Sequence, residues 1–273
     1  APAQLWPRLC ELLDAFALDA QLRGQVGSYA RAHVLEWPAR ARPLPMPWLE
    51  RILRGQPTPE ARLAGWLDTS PRGLRLEDIG AEVLASSQDL QGLRIAHLRH
   101  QLLHLDGLAS VLGAPWLEGL CELALDGNLL GDRGARAITR RAPLPRLERL
   151  SLRAVGMARG GLLRLLDSSL MLRLRALDVA RNDLGWRCAP AIAARAGRCV
   201  RLQTLGMRRT GLGPEDAGPL GDLLADAPAL TSLDLDENRL GAQALLTMLE
   251  RARGAPLYAL SLRETLVGPT LTA

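Results

Sequence analysis

Three of the chain's four histidines, His97, His100 and His104, fall within eight residues, at spacings of three and four. On a helix that spacing would gather the imidazoles on one face, as a metal site needs. The stretch begins as a strand, however, and a strand sends alternate side chains to opposite faces and scatters the rings. No metal is expected, and the histidines read as ordinary surface or rim residues. Asp234 and Asp236 share one strand face, an arrangement that general acid–base work could use. On an open sheet face they would stay solvated with ordinary pKa values, so with Glu237 they read as a charged binding surface. No phosphate-binding Gly-rich loop, dinucleotide turn, HExxH or Gly-x-Ser-x-Gly is present. No catalytic residue and no cofactor is expected. The remaining chemistry lies in arginine. Residues 133–209 hold 18 of the 34 basic residues against four acids, a net charge of +14 inside a chain whose total is +5.

The elements that position these groups repeat. A block of the form Leu-x-x-Leu-x-[Leu/Val/Met/Ile]-x-x-[Asn/Thr/Val/Leu]-x-[Leu/Met/Val/His], usually closed by Gly, opens at residues 90, 120, 147, 174, 202, 230 and 257. The cleanest copies are LCELALDGNLLG, LRALDVARNDLG, LQTLGMRRTGLG and LTSLDLDENRLG. In the last of these, Leu233 and Leu235 alternate with Ser232, Asp234 and Asp236, which is the period of a half-buried strand. Asn238 and Gly241 then mark a turn. Leu245, Leu246 and Leu249 follow at helical spacing. A strand and a helix per period of 27 to 30 residues predict a stacked solenoid with a parallel sheet. Strands are expected near 92–96, 122–126, 149–153, 176–180, 204–208, 232–236 and 259–263.

This pattern resembles the leucine-rich repeats, and its length with a full helix is similar to the ribonuclease-inhibitor type. The resemblance implies an α/β solenoid of about seven repeats over residues 71–273, with a curved sheet and a non-enzymatic binding role. One departure is regular. The Asn position holds Leu98, Asn128, Val155, Asn182, Thr210, Asn238 and Thr265, so Asn occurs in every second repeat from 128 to 238. The ribonuclease-inhibitor type also alternates two repeat versions. Val155 cannot make the amide's bonds, which puts the turn geometry there in question. The copy at Leu90 is the poorest, and GLRLEDIG (73–80) reads as a further degenerate strand.

Residues 1–70 differ. They hold Trp6, Phe16, Tyr29, Trp37, Trp48 and Trp66, six of the nine aromatics. Residues 3–37 read as two helices. WPARARPLPMPW (37–48) reads as an extended connector, and EARLAGWL as a short helix led by Pro59. A terminal repeat needs its apolar end covered, so this region is expected to be a helical cap or docking region. The last strand pattern has no comparable cover, which suggests trimming or a capping partner. The start at Ala1 without Met reads as processing or trimming, with no secretory leader visible. No run of 18 or more apolar residues exists, so no membrane span is expected. Four unpaired-looking cysteines point to a reducing, cytoplasmic location. None of the basic residues is Lys, which reads as codon bias of a GC-rich, bacterial genome.

The binding surface is expected on the concave face and its rim. Arg146, Arg173 and Arg201 immediately precede three consecutive repeat openings and should stack at one rim. Arg149, Arg153, Arg181, Arg208 and Arg209 extend the basic belt, which gives way to Asp234, Asp236 and Glu237. Such a dipolar face predicts a protein partner with an acidic surface. Nucleic acid is disfavoured, because only Trp186 could stack bases within the belt. Polyanion binding and GTPase regulation are the alternative readings.

Overall fold

From Glu122 onward, strands of three residues begin where the repeat predicts them. The first copy is displaced: Ile95 pairs with Glu122, so this copy opens at Leu93 rather than Leu90, and its Asn position holds the buried Gln101 rather than Leu98. The structure is a computed structural model, and it describes residues 2–15, 20–69, 75–140, 144–185 and 187–265. The chain divides into two compact units, residues 1–124 with 143–146, and residues 125–142 with 147–273.

The first unit opens with helices α1 (Pro2–Ala15), α2 (Ala20–Val34) and α3 (Met46–Leu53). Trp6 and Trp48 are both fully buried and meet edge to face, with ring centroids 6.4 Å apart. Their indole N–H groups donate to Pro43 O at 2.7 Å and Asp14 Oδ2 at 2.9 Å. Two of the region's tryptophans therefore build its own core. The proline-rich segment is not wholly extended: α3 starts inside it, with Pro47 in the first turn, where a missing N–H costs nothing. EARLAGWL is not a helix either. A single 3₁₀ turn at Ala61–Leu63 leads into strand β1 (Trp66–Asp68). Beyond the undescribed residues 70–74, the segment taken for a degenerate strand starts helix α4 (Glu77–Ser86). Strand β2 (Ile95–His97), helix α5 (Leu105–Gly113) and strand β3 (Glu122–Ala124) follow. The three strands pair in parallel and in sequence order.

The second unit contains α6 (Gly131–Arg140), β4 (Arg149–Ser151), α7 (Arg159–Asp167), β5 (Ala176–Asp178) and the short α8 (Ala189–Ala193). It continues with β6 (Thr204–Gly206), α9 (Ala217–Asp226), β7 (Ser232–Asp234), α10 (Ala242–Arg251) and β8 (Ala259–Ser261). Strands β4 to β8 pair in order and all in parallel. Leu150, Leu177, Leu205, Leu233 and Leu260 lie in register, and the first four are buried beneath the helices. This is an α/β leucine-rich-repeat solenoid.

Strands β3 to β7 stop after three residues because the backbone then turns through the left-handed region. The eighth residue of successive repeats, Gly127, Ala154, Arg181, Arg209 and Glu237, has φ of 69°, 51°, 57°, 52° and 57°. That conformation is unfavourable for a residue with a Cβ. It is offset by a hydrogen bond from each of these N–H groups to the seventh residue of the next repeat: Arg153, Ala180, Arg208, Asp236 and Arg263, at 2.7–2.9 Å.

Candidate binding face

The strand register fixes which side chains stand together on the open face of the second unit, opposite the leucines. One row is Arg149, Ala176, Thr204 and Ser232, and the next is Ser151, Asp178, Gly206, Asp234 and Ser261. The repeat continues each strand to a third row at Arg153, Ala180, Arg208, Asp236 and Arg263, followed by the turn residues Arg181, Arg209 and Glu237.

The predicted arginines separate into two groups. Arg153 and Arg208 are held by acids. Arg153 Nη1 lies 3.3 Å from Asp178 Oδ2, and Arg208 grips Glu237 Oε1 through Nε, at 2.9 Å, and Nη2. Arg149, Arg173, Arg181 and Arg201 are exposed and form no ion pair with any described residue. Arg209 is exposed and reaches only to 4.0 Å from Glu237. Arg173 and Arg201 each stand three residues before the paired Ala176 and Thr204, so they occupy equivalent places at one rim. Arg146 is exposed on the short segment grouped with the first unit. Trp186 lies outside the described residues.

The acids are less solvated than the sequence suggests. Asp236 is only 5% exposed and accepts from Ser261 Oγ and Arg263 N, both at 2.7 Å. Burial works to raise its pKa, but these bonds and the nearby Arg208 and Arg263 leave it lowered. Asp126 repeats the arrangement, accepting from Ser151 Oγ at 2.5 Å and Arg153 N at 2.9 Å. Asp178 goes the other way: burial raises its pKa, opposed by the Ala180 N–H and Arg153. It lies against Gly206, where a Cβ would come within 2.7 Å of its oxygen. Glu237 is lowered, chiefly by its bonds to Arg208. Asp234 spends Oδ1 on the Asp236 N–H at 3.0 Å. These carboxylates hold turns and arginines, an arrangement unlike a general acid–base pair.

The histidines take three separate roles in the first unit. His97 is 6% exposed, a correction to its reading as a surface residue, and its Nε2 lies 2.7 Å from Glu122 Oε1. Trp66 Nε1 approaches its Nδ1 at 3.4 Å, and Arg40 binds Glu122 Oε2 at 2.7 Å. The His97 hydrogen bond lowers the Glu122 pKa to about 2, against the opposing effect of burial. His100 is exposed in a turn with φ of 55°, and His104 precedes α5, 3.4 Å from Asp78. Among the described residues no three His, Cys, Asp or Glu groups are placed to hold a metal ion.

Sequence reasoning missed the pairing of charges between repeats. Glu148–Arg175, Asp167–Arg195, Arg208–Glu237 and Asp222–Arg251 are each 27 to 29 residues apart. A search for opposite charges one period apart would have found them.

No protein-family model matches the chain. The Tonsoku-like protein of Mus musculus is 32% identical over 152 residues, and that of Bos taurus is 32% identical over 158. These matches cover 52% and 55% of the chain, which spans only 11% and 12% of those proteins' length. Similar solved structures include an internalin C2 and an internalin of the F type from Listeria monocytogenes, both 16% identical. They cover 79% and 74% of this chain, and 92% and 62% of their own, with TM-scores of 0.48 and 0.42. Among the described residues, no helix is long and apolar enough to cross a membrane.

Proposed function

We propose that the chain is a non-enzymatic scaffold of the ribonuclease-inhibitor type, which binds an acidic protein surface through its open strand face. The observation that carries this reading is the row of exposed arginines without close partners. Arg149, Arg173, Arg181, Arg201 and Arg209 come from three consecutive repeats, while the neighbouring acids are occupied. A guanidinium pairs bidentately with a carboxylate, so a surface presenting several carboxylates would meet these groups in register. Arg153 and Arg208 serve as internal counter-charges at the edges of that patch. The repeat-type assignment is supported by the helices of nine or ten residues at α6, α7, α9 and α10, although α8 is short, and by the alternation of Asn182 and Asn238 with Val155 and Thr210. The four cysteines are free thiols, which supports residence in a reducing compartment such as the cytoplasm.

The test is affinity capture at low and physiological salt, comparing the wild type with the variant Arg149→Glu, Arg181→Glu, Arg201→Glu. A protein with an acidic surface that is retained by the first and lost by the second supports the reading. Equal retention by both places the interface elsewhere. Retention that vanishes after nuclease treatment replaces a protein partner with nucleic acid.

A further inference from the structure

The helical side of the second unit carries another basic site, unrelated to the strand face. A groove of about 380 Å³ runs between α6 and α7 and ends at Arg195. Its acids are engaged. Asp132 Oδ1 accepts the Ala158 N–H at 2.8 Å, at the start of α7. Asp167 binds Arg195 through two hydrogen bonds, at 2.7 and 3.0 Å, and its carboxyl is held below the usual carboxylate range by them. Three lining arginines are different. Arg133, Arg136 and Arg164 are exposed, and their guanidinium groups form no ion pair or hydrogen bond with any described residue. Arg133 and Arg136 are three apart on α6 and so share a face, while Arg164 enters from α7. Gly160 and the half-buried Leu163 complete the lining, and Gly160 adds no side chain to fill it.

We propose that this groove docks an acidic peptide segment of a protein partner, with carboxylates on Arg133, Arg136 and Arg164 and one apolar side chain against Leu163. The volume accepts a few side chains rather than a folded surface. Guanidinium forks fit carboxylates and phosphates alike, so the choice rests on the other lining groups. Asp132 and Asp167 stand in the same wall. A peptide can place an uncharged residue opposite them, whereas a continuous phosphate backbone cannot avoid them. The lining offers Leu163 and no aromatic on which bases would stack.

The probe is a fluorescein-labelled peptide rich in Asp and Glu with a central Leu, followed by anisotropy at about 0.1 M salt, where the Debye length is about 10 Å. The variant Arg133→Gln, Arg136→Gln, Arg164→Gln should bind it about tenfold more weakly, as expected for three part-exposed ion pairs lost together. Leu163→Ala should weaken it a few-fold. The equal-charge control Arg149→Gln, Arg181→Gln, Arg201→Gln should bind as the wild type does, which separates this site from the strand face. All variants alter exposed or half-buried side chains, and circular dichroism checks their folding. The proposal is overturned if both triple variants lose affinity equally, if the wild type does not bind the peptide, or if a single-stranded oligonucleotide of equal length binds the groove more tightly.

Discussion

Asn182 Oδ1 accepts a hydrogen bond from the backbone N–H of Val155, one repeat earlier, at 3.1 Å. The same oxygen accepts from Met157 N at 3.0 Å. The amide nitrogen donates to Leu152 O at 2.7 Å and, in its own repeat, to Val179 O at 2.8 Å. Asn238 does the same for the repeat before it, through Thr210 N, Leu212 N and Met207 O. One buried amide therefore satisfies two turns, which is why alternate repeats dispense with Asn. Thr210 needs only its hydroxyl, donated to Met207 O at 2.8 Å, and Val155 contributes nothing.

Asn182→Ala should therefore be costly. It leaves buried N–H and C=O groups of two repeats without partners, and each such group costs about 1–3 kcal/mol. At least four such groups lose their partner, so a total loss of about 4 kcal/mol or more is expected in urea denaturation. Thr210→Ala should lose only about 1 kcal/mol, because Asn238 still serves that turn. Similar losses for the two would contradict the shared role of the amide.

The leucine ladder gives a second prediction. Leu177 is 1% exposed and stands between Leu150 and Leu205 in the register. Leu177→Ala should cost about 2–5 kcal/mol. A loss well under that range would mean the helices close over the cavity.

Periodicity carried most of the fold into view. A buried Leu at every second position and a fixed step between copies leave few other architectures. What stayed hidden is what the period does not govern. β1 at Trp66–Asp68 is too short to alternate visibly, and it follows a 3₁₀ turn that reads as helix. The resting partners of Arg153 and Arg208 come from the following repeat, so composition alone made them look free. His97 is hidden from a local reading because its partners Trp66 and Glu122 lie 31 and 25 residues away.

Acid stability should depend on Glu122. Its pKa falls from 4.5 to about 2, so its contribution is present above the unfolded value and is lost as pH drops through that window. The share lost is on the order of 3 kcal/mol. Denaturation at a series of pH values should show it in the wild type, and Glu122→Gln should flatten this limb of the curve. An unchanged pH profile in the variant would assign the acid limb to other carboxylates.

Thiol chemistry should distinguish one cysteine from three. Cys10, Cys188 and Cys199 are buried, and burial pushes their thiols up to about 12, 11 and 11. Cys121 is part-exposed. A chromogenic disulfide at pH 8 should titrate one thiol in the native chain and four in denaturant. The three buried thiols favour the folded state below their unfolded pKa of 9, and that contribution fades as pH climbs towards 11–12. Rapid reaction of more than one native thiol would show that the core around α1 or α8 opens readily.

The open face gives the last prediction, and the choice of residues follows from the pairing. Arg153 and Arg208 are poor probes of a partner, because reversing either leaves Asp178 or Glu237 beside a like charge and damages the chain itself. Arg149, Arg181 and Arg201 are exposed and have no ion pair among the described residues, so Glu at all three should leave thermal unfolding within about 1 kcal/mol of the wild type per site. Six units of charge change over neighbouring repeats would nevertheless invert the local field. Exposed charges act mainly on encounter, so association with the captured partner should slow by about tenfold or more at low salt while dissociation changes less. The difference should shrink at physiological salt, where the Debye length is about 8 Å. Stopped-flow association at the two salt concentrations measures both quantities. A variant that dissociates faster but associates normally would mean these arginines form desolvated contacts in the complex. A variant with both rates unchanged would remove the strand face from the interface.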